Sequence, residues 1–412
     1  MKRLFWLYLL CVWPTMAIFS QTHQAFSPQI QCVQVTVDGN PLLPPMLDKD
    51  KHQHVNISWD EMSHDYHRYI YHVQHCQYDW TPSDGIFESD SLGGLNDQPV
   101  ENYEKSFNTT QIYTHYQIRF PNPETGLLIS GNYKVLIYED GGSKDEPVLE
   151  ARFCVYEKAV SIQTEVSSDT DVDFNQKHQQ VSLHLNYGSL SVVDPHQQLR
   201  TVVMQNRRWD NMVVNPKANI RNNKGIAFTH CRDLIFPAGN EFYKFEILDV
   251  NRAAMGVDKM EWFDPYYHAT LFAHTPGRNY VYDEDQNGVA VIRSEDDVDD
   301  ETTAEYVLVH FLLKSERLPG GDIYVCGQWT NGTFDPKCRM EYNELEKCYE
   351  AVVMLKQGYY SYQFVQEDGT TGRTMGNFYE TENEYATLVY YRAQGARTDR
   401  LVGYSRVKTG SK

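Results

Sequence analysis

YHRYIYHVQHCQYDWTPS, residues 66–83, is followed by ENYEKSFNTTQIYTHYQIRFPN at 101–122, SGNYKVLIYED at 130–140 and EARFCVYE at 150–157. β-Branched and aromatic residues fill Tyr69 to Cys76, as a pleated and half-buried strand requires. In Ile112 to Phe120, the residues Ile112, Thr114, Tyr116, Ile118 and Phe120 fall on one face of an extended chain, because side chains alternate with period two. Tyr133 to Tyr138 is a third strand, opened by the turn residues Ser130-Gly131-Asn132 and closed before Asp140-Gly141-Gly142. Short strands at this spacing with no helical period between them predict an all-β chain built from antiparallel sandwiches.

The reading extends outward from there. A second β-rich unit is expected from Ala159, with strands at Val181–Leu185, Thr201–Asn206 and Phe242–Leu248. Asn287-Gly288 suits a type I′ turn, so Tyr280–Tyr282 and Val289–Ile292 are expected to form a β-hairpin that closes this unit. Ser294 to Glu301 is too acidic to bury apolar surface and reads as a solvated linker. A third unit opens at Tyr306. The expected organisation is therefore 28–158, 159–293, an acidic linker at 294–305 and 306–408. Residues 1–20 carry Lys2 and Arg3 before an apolar run and a small-residue cleavage region, the pattern of a secretory signal peptide. Cys11 follows Leu10, where lipoprotein processing needs a small residue.

The wording of these strands resembles the plug family of the type IX secretion system, periplasmic proteins of Bacteroidetes. The likeness continues through Gln205–Asn211, Gly239–Phe242, Gly376–Tyr385 and Tyr390–Arg392, so it spans roughly 60 to 405. It implies a periplasmic protein, one copy per translocon, that seals the periplasmic mouth of the type IX outer-membrane translocon barrel (SprA/Sov type). Separately, Ile323–Trp329, Tyr349–Leu355 and Gly358–Val365 resemble an early-set immunoglobulin-like module. The fold expected is a tandem of immunoglobulin-like or early-set β-sandwich domains. A glycan-binding accessory protein using Trp329 and nearby tyrosines is the rival reading. A secreted cargo is the third, and Leu401–Lys408 continues the plug pattern instead.

Composition narrows the partners. The formal charge is −19, and loss of Lys2 and Arg3 with the leader makes it −21, which disfavours nucleic acid and anionic membrane. No later segment approaches the roughly 20 apolar residues of a membrane-spanning helix. Seven cysteines follow the leader without a CxxC pair; Cys338 and Cys348 flank a loop and could bridge, but the set reads as buried apolar groups. His72 and His75 would point to opposite faces of one strand and cannot chelate a single ion. Asp283-Glu284-Asp285-Gln286-Asn287-Gly288 imitates the start of a calcium loop, but Ser294 stands where the bidentate Glu is required, which favours the hairpin. No GxSxG, HExxH or phosphate loop is present, so neither enzymatic activity nor a cofactor nor a metal is expected. Trp80, Trp209, Trp262 and Trp329 serve as core fillers or anchors. The candidate partner-binding or interdomain residues are Asn206, Arg207, Arg208, Trp209 and Asp210 with Asn240, Glu241 and Phe242, since Trp and Arg are the commonest interface anchors.

Overall fold

The structure, a computed structural model, describes residues 23–222, 224–295, 299–331 and 334–409. The expected signal peptide lies outside them, as does part of the acidic stretch.

The first unit is a sandwich of two sheets. One runs Gln24–Ala25, Leu149–Tyr156, Gly131–Glu139, Tyr69–Cys76, Gln98–Pro99, and the other Ile30–Val37, Val55–Glu61, Thr114–Phe120, Asn102–Lys105. Met46–Asp48 joins the first sheet parallel to Leu149–Tyr156, an exception to the antiparallel expectation. Thr114, Tyr116, Ile118 and Phe120 are buried as the alternation requires, with Trp59 stacked on Tyr116 at 5.5 Å. Ile112 departs from the pattern and is 51% exposed. The strand begins only at Thr114, because the backbone before it is claimed elsewhere: the Glu305 carboxylate accepts from the amides of Thr110 and Gln111. His72 turns to Asp97 and His75 to Ser83.

The linear division expected beyond residue 159 does not coincide with the sheets. Ser161–Ser167, His178–Asn186, Gly225–Phe228 and Ile220–Asn222 form one layer of the second unit. Its opposite layer pairs Val213–Val214 and Leu199–Gln205 with Glu384–Tyr391 and Arg400–Lys408, from the far end of the chain. Val181, Leu183 and Val203 share one apolar core with Tyr385, Val389 and Val402. The third unit is thus inserted into the second. It takes in strands that the sequence placed earlier, Tyr243–Ile247, Val257–Phe263, Tyr266–Leu271 and Ala290–Ile292. Its nine-stranded sheet folds over itself at Arg339–Asn343, which pairs first with Ile323–Cys326 and then with Cys348–Lys356. Phe245, Phe311, Tyr360 and Tyr362 fill the space between the halves.

Two local expectations are corrected. The Asn287-Gly288 turn exists, with φ of 50° and 87° and the Gln286 carbonyl accepting from Val289, but no hairpin surrounds it. Only Ala290–Ile292 is a strand, and it pairs with Gly358–Tyr360. The incoming arm is held by side chains instead, because Asp285 accepts from the amides of Phe242 and Asn287. The acidic stretch is likewise only partly a solvated linker: Thr302, Ala304 and Glu305 are buried, and Phe107 donates its amide to the Thr302 carbonyl. Cys338 and Cys348 are separate buried thiols.

Candidate functional site

The chain passes from the second unit to the third through Gly239–Phe242 and returns through Gly376–Asn383. These two crossings are bonded to each other. The Asn377 carboxamide oxygen accepts from the Gly239 amide at 2.6 Å, Phe378 donates to the Gly239 carbonyl at 2.9 Å, and Asn240 Nδ2 donates to the Met375 carbonyl at 2.9 Å. Gly239 and Gly376 both take positive φ, 67° and 93°, a conformation that glycine adopts without steric cost.

The Asn206–Asp210 turn sits against this crossing. Leu199–Gln205 ends where Asn206 and Arg207 both enter the left-handed region. Asn206 is fixed there by three bonds: its amide to the Glu384 carbonyl, its Oδ1 from the Glu384 amide, and its Nδ2 to Asn383 Oδ1. That turn aims Arg207 at all three units at once. Its Nε donates to Glu384 at 3.1 Å, Nη1 to Gln328 in the third unit at 3.3 Å, and Nη2 to the Leu42 carbonyl in the first at 2.5 Å. Arg208 forks onto Asp210 and reaches the Gly369 carbonyl. Trp209 is 8% exposed and meets Trp80 of the first unit edge to face at 5.7 Å, within an apolar cluster that includes Met46, Met204 and Tyr390.

The structure therefore brings six of the eight sequence-selected residues to one place. Asn206 through Asp210 and Phe242 line a cavity of about 140 Å³ between the units. A larger one of about 540 Å³ adjoins it, between the outer edge of Ile30–Val37 and the third unit, with Arg207 and Gln328 common to both. Asn240 and Glu241 face away from these cavities. Glu241 accepts from Tyr280 at 2.6 Å and from the Glu382 amide at 3.1 Å. Burial pushes its carboxyl up to about 7, aided by the charges of Asp285 and Glu382; burial also raises Asp285 to about 6.

A second junction was invisible to sequence reasoning. Asp60 and Lys356 form an ion pair at 2.7 Å with both side chains 1% exposed, joining the first unit to the third. Asp60 also takes His115 at 2.7 Å and the Tyr306 hydroxyl at 2.7 Å. Lys356 donates onward to the Glu301 carbonyl at 2.6 Å and stands over the Tyr113 ring at 4.1 Å. Burial alone would raise the Asp60 carboxyl, but Lys356 and His115 hold it below the usual carboxylate range. Burial, reinforced by Asp60, lifts the Tyr306 phenol far above its ordinary value. The available signal was a charged residue in the last two positions of each of two strands, Asp60 in Val55–Glu61 and Lys356 in Cys348–Lys356. Asp60, Lys356 and Tyr306 satisfy one another, while His115 Nε2 is buried without a hydrogen-bond partner, 3.5 Å from Glu301 Oε2.

Trp329 does not stand on an open face: it stacks over Phe311 and donates its Nε1 to the Ser361 carbonyl. Among the described residues no helix is long and apolar enough to cross a membrane. Where the first and third units meet, Gln111 Nε2 donates to the Pro265 carbonyl, and Phe107, Ile112, Trp262 and Phe263, near these two residues in sequence, are exposed. Trp262 and Phe263 are successive residues of one strand and point to opposite faces.

Comparison with known proteins agrees with this architecture. Residues 30–157 match the family model described as the first domain of the type 9 secretion system plug protein. A crystal structure of a hypothetical protein from Parabacteroides merdae is similar over 95% of this chain and 100% of its own, at 36% identity and a TM-score of 0.90. Among curated proteins, none matches.

Proposed function

Because the chain belongs to the type IX secretion system plug family, we propose that it is the periplasmic subunit that binds the mouth of the outer-membrane translocon barrel and closes it when no substrate occupies the channel. The match of residues 30–157 to the plug first domain carries this reading. The junctions support it. A plug has to resist deformation across a wide opening, and Arg207 ties the three units together while the Asp60–Lys356 pair locks the first to the third. Such a body acts by fit and reversible contact, without chemistry.

We assign docking to the exposed edge of the junction between the first and third units, marked by Phe107 and Ile112 on the first and Phe263 on the third, since exposed apolar surface marks interaction sites. The test is purification of the C-terminally tagged protein from native envelopes in mild detergent. A very large outer-membrane barrel is expected in stable proportion. Phe107→Ser combined with Phe263→Ser is expected to deplete the barrel at least several-fold while leaving the melting temperature unchanged, since both rings are largely solvated. Recovery of wild-type protein without any barrel would sink the proposal.

A further inference from the structure

The segment Asp283–Gly288, which imitates a calcium loop but forms no hairpin, acquires a new context in the folded chain. Asp283, Asp285 and Asn287 supply side-chain oxygens at alternate positions ahead of Gly288, the first three ligand positions and the turn glycine of such a loop. The sequence lacks the carboxylate that should follow at the twelfth position. The fold supplies carboxylates from elsewhere: Glu241 and Glu382 line the same small enclosed cavity as Asp283, Asp285 and Asn287, with Asn383 and Lys408. Its volume, about 20 Å³, is of the order needed for one water-sized occupant. Asn287 is 9% exposed, and its Oδ1 is buried with no hydrogen-bond partner. A buried acceptor left unpaired is costly, and a cation in this cavity would satisfy it.

We propose that Asp283, Asp285, Asn287, Glu241 and Glu382 form a Ca²⁺ site that pins the crossings between the second and third units. The set is all oxygen and mostly anionic, which suits a hard, flexibly coordinated cation better than Mg²⁺ or a transition metal. Its position gives it a role. Glu241 lies on the outgoing crossing, Glu382 on the returning one, and the 283–288 loop belongs to the inserted unit, so one ion would fasten three segments far apart in sequence.

As the chain stands, these oxygens are turned onto internal donors. Asp285 accepts from Phe242 and Asn287, Asp283 from Lys244 at 2.6 Å, and Glu241 from Tyr280. Accordingly, no group of three His, Cys, Asp or Glu side chains among the described residues is closed around a point. Binding must swing Asp283 off Lys244 and compete with the ammonium of Lys408. The affinity expected is therefore in the weak range, about 10⁻⁴–10⁻³ M, of extracellular calcium modules.

Tyr280, bonded to Glu241, provides a direct readout by sensitising Tb³⁺ luminescence. The chelator-treated full-length protein should show tyrosine-sensitised Tb³⁺ emission that Ca²⁺ displaces and Mg²⁺ does not, and millimolar Ca²⁺ should raise its melting temperature. Asp285→Asn and Asp283→Asn should each weaken Ca²⁺ by about tenfold or more, equivalent to at least about 1.4 kcal/mol. Asp283 is half exposed, so its variant carries the test should Asp285→Asn fail to fold. No emission with no Ca²⁺-dependent shift, an equal response to Mg²⁺, or an unchanged response in the Asp283 variant would each overturn the site.

Discussion

Lys356→Met is expected to destabilise the protein by about 3–5 kcal/mol, the cost of leaving a buried charge without its partner. The methionine fills most of the same volume, but Asp60 then keeps only His115 and the Tyr306 hydroxyl in a site with 1% exposure. Chemical denaturation of wild type, Lys356→Met, Asp60→Leu and the double variant measures this directly. The double variant should recover much of the loss, since replacing both members of a buried pair by apolar groups is often nearly neutral. The pH dependence has a definite sign. Asp60 is held below its ordinary value in the folded chain, so its contribution is present above the usual carboxylate range and lost as pH falls through the lowered folded value. Asp60→Leu should flatten that acid limb. Equal stability of wild type and Lys356→Met would show that the pair does not hold the units together.

Trp209→Ala should cost a similar amount, about 3–5 kcal/mol, because it removes a large buried ring and leaves a cavity against Trp80 and Met204. Its ring is shared between units, so the loss should appear as loosening as well as destabilisation. Faster proteolysis at the 239–242 and 376–383 crossings, compared with an equally destabilised variant inside the first sandwich, separates the two. The Trp80–Trp209 contact should contribute about 0.5–1.5 kcal/mol of coupling in a double-mutant cycle. A fully additive cycle would mean that the rings act independently.

Local pattern was enough for most of the strands, and Tyr69–Cys76 is bounded where its apolar run predicts, but Tyr280–Tyr282 is not a strand and the strand expected from Ile112 begins at Thr114. Which strands share a sheet was not legible. Pairing Leu199–Gln205 with Glu384–Tyr391 spans the whole insertion, and alternation says which face of a strand is buried but not against what. The same limit hid the Asp60–Lys356 junction, whose members lie 296 residues apart. The Asn206–Asp210 turn could be selected because Trp and Arg side by side suggest an anchor, although composition did not show that Trp209 would spend its ring on Trp80. The Asp283–Gly288 segment misled in the other direction: its turn residues were read correctly, while the side chains of Asp283 and Asp285 found partners that a hairpin would not have offered.

Closure of the pore is most directly measured with the purified barrel in liposomes loaded with a small fluorescent dye. Adding this protein from the periplasmic side should slow dye efflux to near the rate of barrel-free vesicles, and Phe107→Ser with Phe263→Ser should restore it. Efflux that stays unchanged while the protein is demonstrably bound to the barrel would contradict the sealing role.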